Sequence, residues 1–286
     1  MLEKCSYMNH LGEWFNFGSE SGVYVNYNDL RDFRFSVDSN SNRIRKLSRN
    51  QIVSKTLPLV IFTDPEKADE IKNRLYEIMA KDSVKTSYGR IYVGRCYYQC
   101  YISGSEKSNY LNSKGETNIN IELSTDQPYW IREVRKDFDP SNLEVTNRVG
   151  EAKVGYAMVS GIPQNAPDGT LDDASIGAVL ENAFWDSCDC DILIYGPAES
   201  PYVMIGDNVY SVNISVPDGQ ILQINTKLKQ ILLYDKNMQP SNVFDLRNKK
   251  YNTFQKVSAG YNRVIWNGTY KIAITLLEER DEPIWT

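Results

Sequence analysis

The sequence has a single histidine in 286 residues, and it has no run of about 18 apolar residues that could span a bilayer. His10, alone and near the start of the chain, supplies no base for imidazole-driven acid–base or triad chemistry. Met1–Leu11 includes Glu3 and His10 and lacks the apolar core of a secretory leader, so synthesis and assembly in a cytoplasm are expected and membrane contact is not. Basic charge is also scarce: 32 Lys and Arg against 37 Asp and Glu give a net charge of -5. Such a chain has no field to hold a phosphate backbone by counterion release, and no nucleic-acid contact is expected. The nucleophile elbow, the phosphate loop, the dinucleotide fingerprint and the paired-histidine zinc helix are all missing. Neither catalysis nor a cofactor is expected.

Cysteine is sparse and odd in number, with five residues at 5, 96, 100, 188 and 190. These spacings are not the framework of a small disulfide-stapled domain. Cys96 and Cys100 would share one strand face, as would Cys188 and Cys190, so a soft-metal site is geometrically conceivable. The lack of any C-x-x-C pair favours buried, reduced thiols and no metal. Asp168, Asp172 and Asp173 offer oxygens to calcium, but D-G-T-L-D-D lacks the ligand spacing and the distal Glu of a helix-loop-helix site. The neighbouring acids Glu278, Glu279, Asp281 and Glu282 read as a solvated chain end rather than a glycosidase pair.

What the sequence does have is tyrosine, 19 against 9 Phe, in period-two patterns that suit half-buried strands. Alternation begins at Trp14–Phe17 and resumes at Val23. A basic segment, Arg43–Arg49, reads as a solvated edge, and Leu57–Phe62 as a buried strand. Asp64-Pro65 predicts the one helix, with Asp64 as N-cap, running to about Lys81 and burying Ala68, Ile71, Leu75, Ile78 and Met79. Gly94-Arg95 turns a hairpin whose inner face carries Ile91, Val93, Tyr97 or Tyr98, and Ile102. Ile119–Leu123 and Pro128–Ile131 close a first module near residue 132.

Residues 133–182 lack periodicity and are rich in Pro and Gly, which marks a connector or arm. A second module, 183–286, holds about eight short strands with frequent turn signals, the pattern of an antiparallel sandwich. Gly206-Asp207-Asn208 folds Tyr202–Ile205 onto Val209–Val212. Val243–Leu246 reads as a strand, and Asn267-Gly268 as the turn of a last hairpin joining Val264–Trp266 to Tyr270–Leu277. Trp266 and Trp285 are both expected in this module.

At I-Y-G-P-A-E-S-P-Y-V-M-I-G-D-N-V-Y-S-V-N (194–213), A-G-Y-N-R-V-I-W-N-G (259–268) and E-R-D-E-P-I-W-T (279–286), the chain resembles the distal tail protein family of long-tailed phages and prophages of Gram-positive bacteria. G-R-I-Y-V-G-R-C-Y-Y-Q-C-Y-I (89–102) and S-T-D-Q-P-Y-W-I-R-E (124–133) stand where that family has its first-domain hairpin and closing strand. The resemblance implies a mainly β protein, with an N-terminal tail-tube-like β domain bearing one helix and a C-terminal galectin-like antiparallel β-sandwich. It implies a structural virion protein: a homohexamer ring in the phage tail, joining the tail tube protein to the tail tip or baseplate and its receptor-binding proteins. The connector matches nothing in the family, and no carbohydrate-binding module is inserted, which favours scaffolding over adhesion. Two other readings stay open, a carbohydrate-binding adhesin using the second sandwich and a glycan hydrolase. An adhesin would show exposed aromatics beside amide and carboxylate groups, and a hydrolase would need two carboxylates flanking a cleft.

Overall fold

The computed structural model describes residues 4–40, 42–49, 52–108, 116–140 and 176–285. They belong to two compact units, Met1–Arg132 with Glu279–Thr286, and Glu133–Glu278. The first unit contains β1 (Cys5–Met8), β2 (Trp14–Phe17), β3 (Val23–Val25), β4 (Phe35–Asn40), β5 (Arg43–Arg49), β6 (Val53–Phe62), helix α1 (Pro65–Lys85), β7 (Gly89–Val93), β8 (Cys96–Ser108), β9 (Glu116–Thr125) and the start of β10 (Trp130–Phe138).

The long strand β8 organises this unit. Its first residues pair with β7, which pairs with β1 and then β2, and Trp130–Arg132 of β10 lie on the opposite edge. From Tyr101 onward β8 pairs with β9, with a register shift between Ile102 and Gly104, and β9 pairs with β6 and then β3. A bulge of this kind bends a strand so that it can serve two sheets. The core between them collects the inward residues of both, Tyr7, Leu57, Leu59, Ile61, Ile91, Tyr98, Leu123 and Trp130. The turn at Gly94 needs its positive φ of 59°, and Val93 faces Cys96 across it as the sequence requires.

Helix α1 buries Ala68, Leu75, Ile78 and Met79 and half-buries Ile71, the stripe read from the sequence. It runs one turn further than expected, to Lys85, and ends where Thr86 adopts a left-handed conformation, φ 49°. The Asp64 side chain makes no capping bond; the Asp64 backbone carbonyl accepts from Lys67 and Ala68 instead. Beneath the helix C-terminus the buried Asp82 accepts from the Tyr7 hydroxyl at 2.5 Å and from the His10 backbone N–H at 2.8 Å, with His10 Nδ1 at 2.5 Å. The only histidine therefore ties the β1–β2 turn to the helix.

The second unit contains the rest of β10, then β11 (Ile176–Asn182), β12 (Asp189–Tyr195), β13 (Ala198–Glu199), β14 (Tyr202–Ile205), β15 (Asn208–Ser211), β16 (Ser215–Val216), β17 (Ile221–Asn225), β18 (Gln230–Tyr234), β19 (Pro240–Asn242), β20 (Gly260–Trp266) and β21 (Ile272–Arg280), the last of which ends in unit one. Two antiparallel sheets, β19-β18-β17-β12-β21 and β11-β20-β14-β15, enclose one core. Alternate residues supply it: Ile192 and Ile194, Leu222 and Ile224, Ile272 and Ile274 from one sheet, Leu180, Val203, Val264 and Trp266 from the other. That alternation is what a sandwich demands.

Several expectations are corrected here. The segment read as connector is strand at both described ends, in β10 and in β11, which pairs with β20 over seven residues from Ile176 to Asn182. The acidic run Asp168, Asp172 and Asp173 lies outside the described residues. Asn267-Gly268 does not close a hairpin, because β20 pairs with β11 and β14 whereas β21 pairs with β12. The loop crosses between the sheets, and buried Tyr270 holds the crossing by donating from its hydroxyl to the Tyr202 carbonyl at 2.7 Å. Phe244–Leu246 is a turn of 3-10 helix rather than strand, with the Asn242 side chain accepting the Phe244 N–H at 3.0 Å.

Candidate functional site

Strands β4 and β5 pair with each other and form their own two-stranded ribbon. A ribbon of two strands is marginal on its own, and this one also displays apolar side chains. Val37 and Leu47 face each other across it, 56% and 57% exposed, and Ile44 near the tip is 65% exposed. Arg43, Arg45, Lys46 and Arg49 make β5 basic in an acidic protein. Contiguous exposed apolar side chains beside charge are the mark of a contact surface.

The foot of the ribbon is anchored by the chain end. Arg49 donates to Asp281 at 2.8 Å, lies 3.7 Å from Glu279 and faces the Tyr129 ring. Arg31 donates to the carbonyl of Pro283 at 2.8 Å and stacks on Trp285, 3.7 Å above the ring centroid. Ile284 packs on the first core. Trp285 therefore belongs to unit one, not to the second module. The acids at 278–282 are likewise not a solvated terminus, since Glu278 is buried and Glu279 and Asp281 grip Arg49.

A cavity of about 340 Å³ opens beside this anchor, lined by residues that include Asp29, Asp32, Phe33, Phe35, Lys55 and Tyr98. Lys55 sits on the inward side of β6 in phase with Leu57 and Leu59, and it is buried. Its Nζ donates to the carbonyls of Asp29 at 2.7 Å and Asp32 at 2.5 Å. Burial pulls the Lys55 ammonium below its ordinary pKa, and the nearby carboxylates of Asp29 and Asp32 oppose that pull. Tyr98 is 1% exposed, and its hydroxyl has no hydrogen-bond partner among the described residues.

On unit two, the sheet face turned away from the core carries a polar ladder. Tyr234 donates to Gln223 at 2.9 Å, and the Gln223 amide donates to both Asp191 oxygens at 2.9 and 2.8 Å. Arg135 donates to the Tyr195 hydroxyl at 3.2 Å and to Asp137 at 2.9 Å. Burial raises the Asp191 pKa, with the Gln223 hydrogen bond pulling the other way. These are the groups a sugar-binding face would use, and here they are spent on one another.

All five cysteines are buried thiols. Burial pushes the Cys100 and Cys190 thiols up to about 12 and Cys188 to about 11. Among the described residues no group of three or more His, Cys, Asp and Glu side chains could hold a metal ion, and no helix is long and apolar enough to cross a membrane. Sequence reasoning missed Lys55 and Tyr98 as site residues. For Lys55 a signal existed, a lysine at an inward position of the alternation K-T-L-P-L-V-I.

No family model matches the chain, and no curated protein matches it. Solved structures do. The SPP1 Dit protein, described as a paradigm of the hub adsorption apparatus in phages infecting Gram-positive bacteria, aligns over 96% of this chain and 98% of its own with TM-score 0.52 and 9% identity. A chain of the phage p2 baseplate in its activated conformation with Ca aligns over 99% and 100% with TM-score 0.63 and 11% identity, and the form with Sr gives the same values. Over nearly its whole length the chain thus has the mainly β fold of the SPP1 Dit protein and of a phage p2 baseplate chain.

Proposed function

We propose that this chain is a structural protein of a phage tail, a distal tail protein that forms a ring between the tail tube and the tip or baseplate. The observation that carries this reading is the near-complete coverage of both this chain and its neighbours, a hub protein and a baseplate chain. A shared sandwich alone would align over one unit only, and fold by itself does not fix function. The exposed, basic, apolar β4–β5 ribbon in unit one supports self-association there, in a head-to-tail contact that uses two different patches of the same chain. Six copies is the number implied by the family resemblance. The polar ladder of unit two disfavours a sugar-binding role, because its amide and carboxylate are already satisfied. No enzymatic role is proposed.

The test is light scattering on the full chain and two surface variants. Wild type is expected at ring mass. Leu47→Glu, on the ribbon, is expected to give monomer, while Leu228→Glu, an equally exposed leucine of unit two, leaves the ring intact. The roles assigned to the units are wrong if the second variant dissociates the ring and the first does not.

A further inference from the structure

The polar ladder of unit two is closed to a sugar, but the end of the opposite sheet, where β11 runs on toward β12, is built differently. Trp185 stands there 72% exposed, with the Phe184 ring behind it at 3.9 Å and 38°. Tyr261, 78% exposed, lies on β20 directly across from Glu181. Side chains this large are seldom left in water unless they serve contact. Neither sits on a loosely held segment. Buried Asn182 donates from its amide to the carbonyls of Asp186 at 3.0 Å and of Val257 and Ser258 at 3.2 Å, and its oxygen accepts the Phe184 N–H at 3.2 Å. Buried Asn262 donates to the carbonyls of Ser258 at 2.8 Å and Gly260 at 3.1 Å. Asn182 is also paired with Gly260 across β11 and β20, so the two ring-bearing segments are locked to each other. Both rings are in place before any partner arrives, which removes an ordering cost from binding.

The surroundings select the occupant. The exposed residues that flank the rings, Ala183, Ser258, Ala259 and Gly260, are small and add little apolar area. The core of a protein–protein interface is a contiguous, largely apolar patch, and this surface has isolated rings instead. Its charges are mixed: Glu181 and Asp186 stand against Arg263, which shares a strand face with Tyr261, and Lys256 is held by Asp189 at 3.1 Å. No excess of positive charge is offered to an acidic polymer. A pyranose suits such a surface. The slightly positive C–H groups of one sugar face lie against the negative face of an aromatic ring, while its hydroxyls donate to carboxylates and accept from a guanidinium.

We infer that the Trp185 and Tyr261 segments of unit two form a binding site for an uncharged glycan, with the two rings as stacking platforms and Glu181, Asp186 and Arg263 as the hydrogen-bonding groups beside them. The site lies on the other sheet from the polar ladder. It goes beyond the structural role proposed above and does not depend on ring closure.

The experiment is an array of immobilised oligosaccharides, neutral hexose and N-acetylhexosamine chains beside uronate-bearing and phosphate-bearing ones, probed with the full chain. Wild type, Trp185→Ala, Trp185→Phe and Tyr261→Ala are compared, and the best neutral chain is then titrated by calorimetry. Both side chains are exposed, so the variants keep the fold, and matching thermal midpoints check this. Wild type is expected to bind neutral chains and not the anionic ones. Each alanine variant should raise Kd about tenfold or more, and Trp185→Phe, which keeps a ring, should lose less. A wild type that binds no neutral chain, binding that both alanine variants leave unchanged, or a preference for the anionic chains overturns the site. Light scattering is expected to give one assembly mass for all four proteins, so the glycan site can fail while the ring stands.

Discussion

Removing Asp281–Thr286 is expected to weaken unit one and spare unit two. The deletion takes away the Asp281–Arg49 ion pair, about a third exposed at each side chain, and pairs this wet contribute about 0.2 to 1 kcal/mol. It removes the Arg31 hydrogen bond to the Pro283 carbonyl, worth about 1 kcal/mol. The stacking of Arg31 on an exposed Trp285 adds about 0.5 to 1 kcal/mol, and the half-buried Ile284 about 1 kcal/mol more. A loss of about 2 to 4 kcal/mol is expected, offset slightly by the entropy of a freed tail. Hydrogen exchange on the full-length and truncated chains reads it region by region. Protection should fall in the loop at 26–34 and in β5 and β6, where Arg31, Arg49 and their neighbours lie, and stay unchanged in β12, β17 and β18. Loss confined to the second set would refute the assignment of the chain end to unit one.

Leu75→Ala should destabilise unit one by about 2 to 5 kcal/mol, since this leucine is the deepest of the helix stripe, as a denaturant titration of the full chain would show. Gly89→Ala should be poorly tolerated, because a β-carbon there would lie 2.0 Å from the Tyr7 hydroxyl, 2.4 Å from its ring carbon and 2.5 Å from an Asp82 carboxylate oxygen; an unchanged midpoint in a denaturant titration would contradict that packing. Native protein at neutral pH should titrate almost no thiol with a disulfide reagent and all five after denaturation, because burial keeps the thiols protonated and covered. Asp191 has a raised pKa in the folded state, so its protonated form favours folding and the benefit fades as pH climbs from the ordinary carboxylate value through the raised one. Relative to Asp191→Asn, wild type should therefore lose stability over that interval, and a difference that does not change with pH would contradict the cause given.

Local signals carried most of the elements. Gly94 and Gly206 mark turns because each needs a positive φ, and the spacing of Ala68, Leu75 and Met79 marks the helix, since both are rules of neighbouring residues. What stayed hidden is long-range. The Arg31–Pro283 bond joins residues 252 apart, and nothing near Trp285 says which unit it will join. Asn267-Gly268 is a sound turn signal, but whether its flanking strands pair is settled elsewhere in the chain, by β11 and β14, which take the two edges of β20, and by β12, which pairs with β21. Tyr98 is hidden for a third reason. A tyrosine in a strand reads as ordinary core, and the unmet hydrogen bond of Tyr98 is a property of the packed surroundings.

The central claim is that copies of this chain close into a ring through unit one. Electron microscopy of the purified full-length protein, with particles averaged in two dimensions, tests it most directly. The account predicts closed rings with sixfold symmetry that Leu47→Glu abolishes. Single particles of one chain at every concentration, or open filaments that never close, would contradict it.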